Sequence, residues 1–156
     1  MDIRAGAEYQ NRPPMPPTYI FLFDVSQPAI DSGYIQQAAY TIKGIIEEGT
    51  LPGGDRIKVM FMAFDKNLYF FNLRQTLKQP QMMVVTDTNP IFLPCMPEDL
   101  LVNLADSYDL VLNLLDNFGN YFANSQAQRT QESNFVAAIR ATNTIANKIG
   151  GKVLLF

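Results

Sequence analysis

The apolar positions of this chain fall into separate blocks, and the spacing within each predicts a different element. Tyr19 to Phe23 is unbroken apolar and aromatic, the pattern of a strand covered on both faces, and it stops abruptly at Asp24-Val25-Ser26. From about Gly33 to Glu48, Ile35, Ala38, Ala39, Ile42, Ile45 and Ile46 recur three and four residues apart, which predicts an amphipathic helix with Ser32 as its cap. After the loop Leu51-Pro52-Gly53-Gly54, Arg56 to Phe64 and Leu68 to Leu73 predict two strands joined at Asp65-Lys66-Asn67, a hairpin at or near a sheet edge. Met82 to Val85 predicts a further strand, followed by an extended connection punctuated by Pro90, Pro94 and Pro97.

The longest helical pattern runs from Glu98 to Phe118, with Leu101, Leu104, Tyr108, Val111, Leu112, Leu115 and Phe118 as its stripe and a break expected near Ser107. A polar stretch, 120–133, leads into a helix over 134–149 that carries Phe135, Ala138, Ile139, Thr142, Ile145, Ala146 and Ile149. Gly150-Gly151 suits a left-handed helix end, and Lys152 to Phe156 closes the chain as a strand. This order predicts an α/β fold of three layers, Rossmann-like, with a mostly parallel sheet and a β-hairpin at its edge. A buried last strand calls for further elements to cover it, so the chain is expected to be a C-terminally incomplete piece of a longer polypeptide. Residues 1–17 form an N-terminal strap, Pro-rich over 12–17, ahead of a domain over 18–156. The prolines favour a stiff lead-in to the first strand, with Pro13 to Pro16 as an SH3 ligand the alternative.

Composition narrows the function. The chain has 156 residues, 47% of them apolar and 17% charged, which suits one globular domain. Its net charge is -3 and its twelve Lys and Arg are scattered, so it lacks the concentrated positive surface that a nucleic acid requires. No apolar run approaches the roughly 20 residues of a membrane span. The N-terminus has no secretory pattern and Cys95 has no cysteine to pair with, both of which fit the cytosol. Histidine is absent, which excludes Ser-His, Cys-His and most catalytic zinc arrangements. No phosphate-cradling glycine loop follows the first strand, and Cys95 has no base to activate it.

Ala7-Glu8-Tyr9, Arg12-Pro13-Pro14-Met15-Pro16-Pro17 and Asp24-Val25-Ser26 resemble the start of the trunk domain of the COPII coat cargo-adaptor subunits. Phe64-Asp65, Phe71-Asn72-Leu73, Gln79-Pro80-Gln81-Met82, Phe92-Leu93-Pro94, Leu100 to Leu104, Ala137-Ala138-Ile139 and Gly150-Gly151-Lys152 continue the likeness in order. The resemblance covers residue 7 to the last, and the Pro-rich lead favours the cargo adaptor over its GTPase-activating partner. It implies a non-catalytic, von Willebrand A-like trunk that pairs with the trunk of the GTPase-activating subunit. That trunk would serve transport from endoplasmic reticulum to Golgi, cytoplasmic and peripheral on the membranes of the endoplasmic reticulum and its vesicles. Cargo or SNARE proteins, and indirectly the small coat GTPase, are the further partners it implies. Zinc is implied only for a family segment preceding the trunk, so no cofactor is expected here.

Metal-binding von Willebrand A domains use Asp-x-Ser-x-Ser with a later hydroxyl and carboxylate to complete an oxygen shell. Asp24 and Ser26 fill the first two places, and Ser133 stands as a later hydroxyl, but Pro28 replaces the second serine. The site is thus degenerate, and the bland role of Asp24 and Ser26 is to hold the turn after the strand by bonding backbone N-H groups. A phosphatase nucleophile at Asp24 would want a carboxylate where Ser26 stands. Arg56 and Lys58 alternate on the expected edge strand and could grip an acidic sorting signal or a partner, or be plain solvated charges. The alternatives are an unrelated von Willebrand A-like metal-dependent binding domain, opposed by Pro28, and a small hydrolase, opposed by the lack of histidine.

Overall fold

A computed structural model describes residues 15–88, 92–123, 132–147 and 149–156. Most of the N-terminal strap, Pro90 with Ile91, and most of the polar stretch before the last helix lie outside the described residues.

Strand β1 (Thr18–Asp24) lies between β2 (Lys58–Phe64) and β6 (Lys152–Leu155) and runs parallel to both. Strand β3 (Leu68–Asn72) returns antiparallel beside β2, and β4 (Gln81–Val85) returns antiparallel beside β3. A two-residue strand β5 (Val102–Asn103) pairs antiparallel with the start of β2. The order is therefore β4-β3-β2-β1-β6, with β5 off that path. The sheet is mixed, and this corrects the expected mostly parallel one: two pairings are parallel and three antiparallel. The reason lies in the short turns. Two-strand units closed by a few residues can only be antiparallel, whereas β1 reaches β2 through a helix.

Strand alternation builds two cores from one sheet. Tyr19, Phe21, Phe23, Val59, Phe61, Ala63 and Phe71 face one side, while Ile20, Leu22, Met60, Met62, Phe64, Leu68 and Phe70 face the other. On the first side lie helices α2 (Tyr34–Glu47) and α4 (Tyr108–Ala123), and on the second lies α5 (Phe135–Ala146). The expected three layers are present. Ile35, Ala39, Ile42 and Ile46 supply the buried stripe of α2, and Ile45 is left exposed. Lys43 reaches Asp116 at 2.6 Å and ties α2 to α4, an exposed pair that adds little stability.

Three expectations change. The helix expected from Glu98 is not continuous: α3 (Pro97–Leu100) is a single turn, β5 follows, and α4 begins at Tyr108 and runs past Phe118 to Ala123. Leu101 and Leu104 have helical spacing, but Val102 and Asn103 gain backbone partners on Val59 and Lys58. Asn103 then makes the turn, its amide donating to the Asp55 carbonyl and its side-chain oxygen accepting from Ala105 and Asp106. Secondly, a short helix α1 (Gln27–Asp31) precedes α2, with Pro28 in its first turn, where a missing N-H costs nothing. Gly33, at φ 73°, makes the bend into α2. Ser32 ends α1: its hydroxyl donates back to the Ala29 carbonyl at 2.7 Å and accepts only a long bond from Tyr34 N-H at 3.4 Å. Thirdly, among the described residues β6 stands at one end of the strand order, with Val153 45% and Leu155 52% exposed, while α5 lies over β1 and β2.

Phe118 of α4 is the hub of the larger core, fully buried with Phe23, Phe71 and Phe122 at ring-centre distances of 4.4, 5.5 and 5.6 Å. Phe118→Ala removes contacts to two strands at once and is expected to cost about 3–5 kcal/mol. Urea denaturation checks this, and a loss below about 1 kcal/mol would mean that α4 is not seated as described.

Candidate functional site

The turn after β1 is built around one carboxylate. Asp24 is half-buried at the C-terminal end of the strand. Its Oδ1 accepts from Ser26 N-H at 2.8 Å and its Oδ2 accepts from the Ser133 hydroxyl at 3.1 Å. The first bond closes an Asx turn, and the second joins residues 109 apart in sequence. The Asp24 carbonyl accepts from the Tyr34 hydroxyl at 3.0 Å, and its N-H donates to the Phe156 carbonyl at 2.9 Å. All three residues of the degenerate site, Asp24, Ser26 and Ser133, therefore meet. They line one pocket of about 550 Å³ together with Pro28, Leu155 and Phe156. Pro28 brings only carbon, and both carboxylate oxygens already serve protein donors.

Burial, with the Asp24 charge beside it, pushes the Tyr34 phenol up to about 12, although its own bond to the Asp24 carbonyl acts the other way. The folded chain holds this proton more tightly than the unfolded one. Its contribution to stability is accordingly complete below about pH 10 and is lost as pH rises through about 12. Tyr34→Phe should flatten that part of the stability curve, and its phenolate absorbance titration should lose the component that ionises last. An unchanged slope between pH 10 and 12 would show that Tyr34 does not couple to this turn.

Arg56 and Lys58 do not form the expected pair on an edge strand. Arg56 sits exposed in a single 3-10 turn (Gly54–Arg56), and Lys58 opens β2, half-buried between Thr18 of β1 and Asn103 of β5. The basic pair reads as an edge from sequence because the strands that flank Lys58, β1 and β5, are brought beside it only when the chain folds. Cys95 is half-buried, and burial with Asp99 nearby pushes its thiol up, away from the reactive thiolate.

A second polar junction escaped the sequence. Asp65, buried in the β2-β3 turn, accepts from Asn67 N-H at 2.7 Å and from the Tyr69 hydroxyl at 3.0 Å. Its carbonyl accepts from Asn134 N-H at 2.7 Å, and Asn134 in turn donates to the Thr88 hydroxyl while capping α5 at Ala137. Burial is the main cause that raises the Tyr69 phenol. The Asp65 carboxylate thereby braces the hairpin, and its main-chain carbonyl fastens that hairpin to the start of α5. The available signal was Asn134 immediately before an apolar helical pattern, a cap by residue type.

The chain matches the Sec23/Sec24 trunk domain over residues 14–156. It belongs to the Sec23/Sec24 trunk-domain family. Within it the chain is similar to the Sec24 proteins, the cargo-adaptor branch, as the resemblance implied. Over 156 residues it is 44% identical to protein transport protein SEC24 A of Arabidopsis thaliana and 37% identical to Sec24A of Homo sapiens, in each case across 100% of this chain and 14% of the relative. A crystal structure of the human COPII-coat protein Sec24c superposes with a TM-score of 0.75 at 32% identity, covering 94% of this chain and 19% of that one. The mixed α/β architecture of the trunk is thus shared with a solved Sec24 structure. The chain spans about one seventh of the length of these curated relatives. Among the described residues, no helix is long and apolar enough to cross a membrane.

Proposed function

We propose that this trunk is a non-catalytic, von Willebrand A-like docking module of the inner COPII coat, part of a cargo adaptor in transport from the endoplasmic reticulum to the Golgi. The observation that carries this reading is the agreement along the whole chain with Sec24 proteins, 44% over 156 residues, joined to a shared fold. The trunk packs against the trunk of the GTPase-activating subunit, and the adaptor so formed takes up cargo or SNARE proteins on the cytoplasmic side of the membrane. Asp24 supports a structural role for the turn, since its carboxylate is spent on Ser26 and Ser133. A full-length adaptor containing this trunk should bring down the GTPase-activating subunit from a cytosolic extract in near equal amount. Its consistent absence from the pull-down would sink the assignment.

No metal or other cofactor has a role in this reading. A divalent ion at Asp24 would have to displace the Ser133 hydroxyl and would find no oxygen on Pro28. Calorimetric titration of the same protein with Mg²⁺ and Mn²⁺ should give no binding heat that Asp24→Ala abolishes. Micromolar binding lost in that variant would restore the metal-dependent alternative.

A further inference from the structure

We propose that the outer edge of β4 is a strand-addition site, which takes up an extended, uncharged segment of a partner protein. The inference rests on the docking role just proposed and names a place for it.

Backbone direction follows from hydrogen bonds at the far side of the hairpin. The Phe64 carbonyl accepts from Val25 N-H at 2.8 Å, so the main chain of Phe64 faces β1. Alternation turns that of Ala63 towards β3, where its partner Tyr69 faces back to it. Leu68 and Phe70 then face β4, and they oppose Val85 and Met83. Met82 and Val84 are left with N-H and C=O directed outward, and β4 ends the strand order on that side. Among the described residues, no strand pairs with this edge.

Sheets that keep an idle edge usually blunt it with a charge, a proline or a bulge. Gln81–Val85 has none of these. It carries no charged residue and no proline, and its register against β3 runs without interruption over five pairs, from Asn72↔Gln81 to Leu68↔Val85. Val84 is 48% exposed, so a neighbouring strand would find an apolar side chain beside the open backbone groups. Two outward residues, two apart, ask for a complementary stretch of about five extended residues. A second copy of this chain fits less well. Two rigid sheets meeting along five residues would bury far less than the roughly 1,200–2,000 Å² of a stable interface, whereas a flexible segment needs only the edge itself. The occupant is therefore an extended segment rich in β-branched residues and free of proline.

The test uses the full-length adaptor and a fluorescent peptide, acetyl-Thr-Val-Tyr-Val-Thr-amide, read by anisotropy and by hydrogen exchange over residues 80–86. Submillimolar binding is expected, with slowed exchange of two amides, those of Met82 and Val84. Val84→Pro removes one outward N-H without touching the β3 ladder and should weaken binding at least tenfold. Val84→Thr should leave it within twofold. A peptide N-methylated at both valines probes the same bonds from the other side, whatever the proline does to folding, and should bind at least tenfold more weakly. The proposal is overturned if both peptides bind alike, if the two amides exchange unchanged, or if sedimentation shows a concentration-dependent dimer that Val84→Pro abolishes. The GTPase-activating subunit is assayed alongside: an adaptor that retains it yet ignores the peptide loses this inference and keeps the proposed function.

Discussion

The parallel pairing of β1 with β2, in a register that sets Phe21 against Phe61, is the interaction on which the remaining structure depends. Their rings stack with centres 4.9 Å apart and planes inclined by 14°. Because the two strands share one alternation, every odd-numbered side chain from Tyr19 to Phe23 and from Val59 to Ala63 enters one core and every even one the other. A shift of one residue in either strand would send aromatic rings into the space that Ile20, Leu22 and Met60 now fill. The helices answer this division. The aromatic side accepts α2 and the Phe118 and Phe122 stripe of α4, while the aliphatic side accepts the small residues Ala137, Ala138 and Ala141 of α5.

The same register fixes where the turns can be. Asp24 ends its strand beside Phe64, so the chain leaves β1 and β2 at one end of the sheet. There α5 starts, and its preceding residues supply Ser133 to Asp24 and Asn134 to Asp65. The Asp24 carboxylate and the Asp65 main-chain carbonyl, at the ends of two neighbouring strands, thus hold one helix by its beginning. In an enzyme, carboxylates at the ends of adjacent strands would be obvious candidates for chemistry. Here their oxygens meet hydroxyl and backbone donors.

Much of this was legible in advance. The aromatic run of β1, the hairpin around Asp65-Lys66-Asn67 and the stripes of α2 and α5 follow from spacing alone, since alternation and helical repeat decide which positions can be buried together. Other features misled for a physical reason. Leu101 and Leu104 satisfy a helical stripe, but the unpaired backbone at the start of β2 offered Val102 and Asn103 a better arrangement. Val153 and Leu155 are as apolar as Ile20 and Leu22, their partners in register, yet among the described residues α5 covers β1 and nothing covers these two. Apolarity states what a residue can bury, not what will arrive to cover it.

By itself the sequence determined which stretches become strands and helices, which of their faces are apolar, and that Pro28 brings no oxygen to the turn after β1. It also carried enough of the trunk pattern to show the family. Only the tertiary structure decided that the sheet is mixed, that Lys58 lies inside it, that Ser133 reaches Asp24 across 109 residues, and that β4 and β6 end the strand order of the described residues. The division has one cause. Local pattern is written into the spacing of neighbouring residues, whereas edges, junctions and buried polar contacts depend on which distant backbone groups are brought together, and that is settled by packing the whole chain at once.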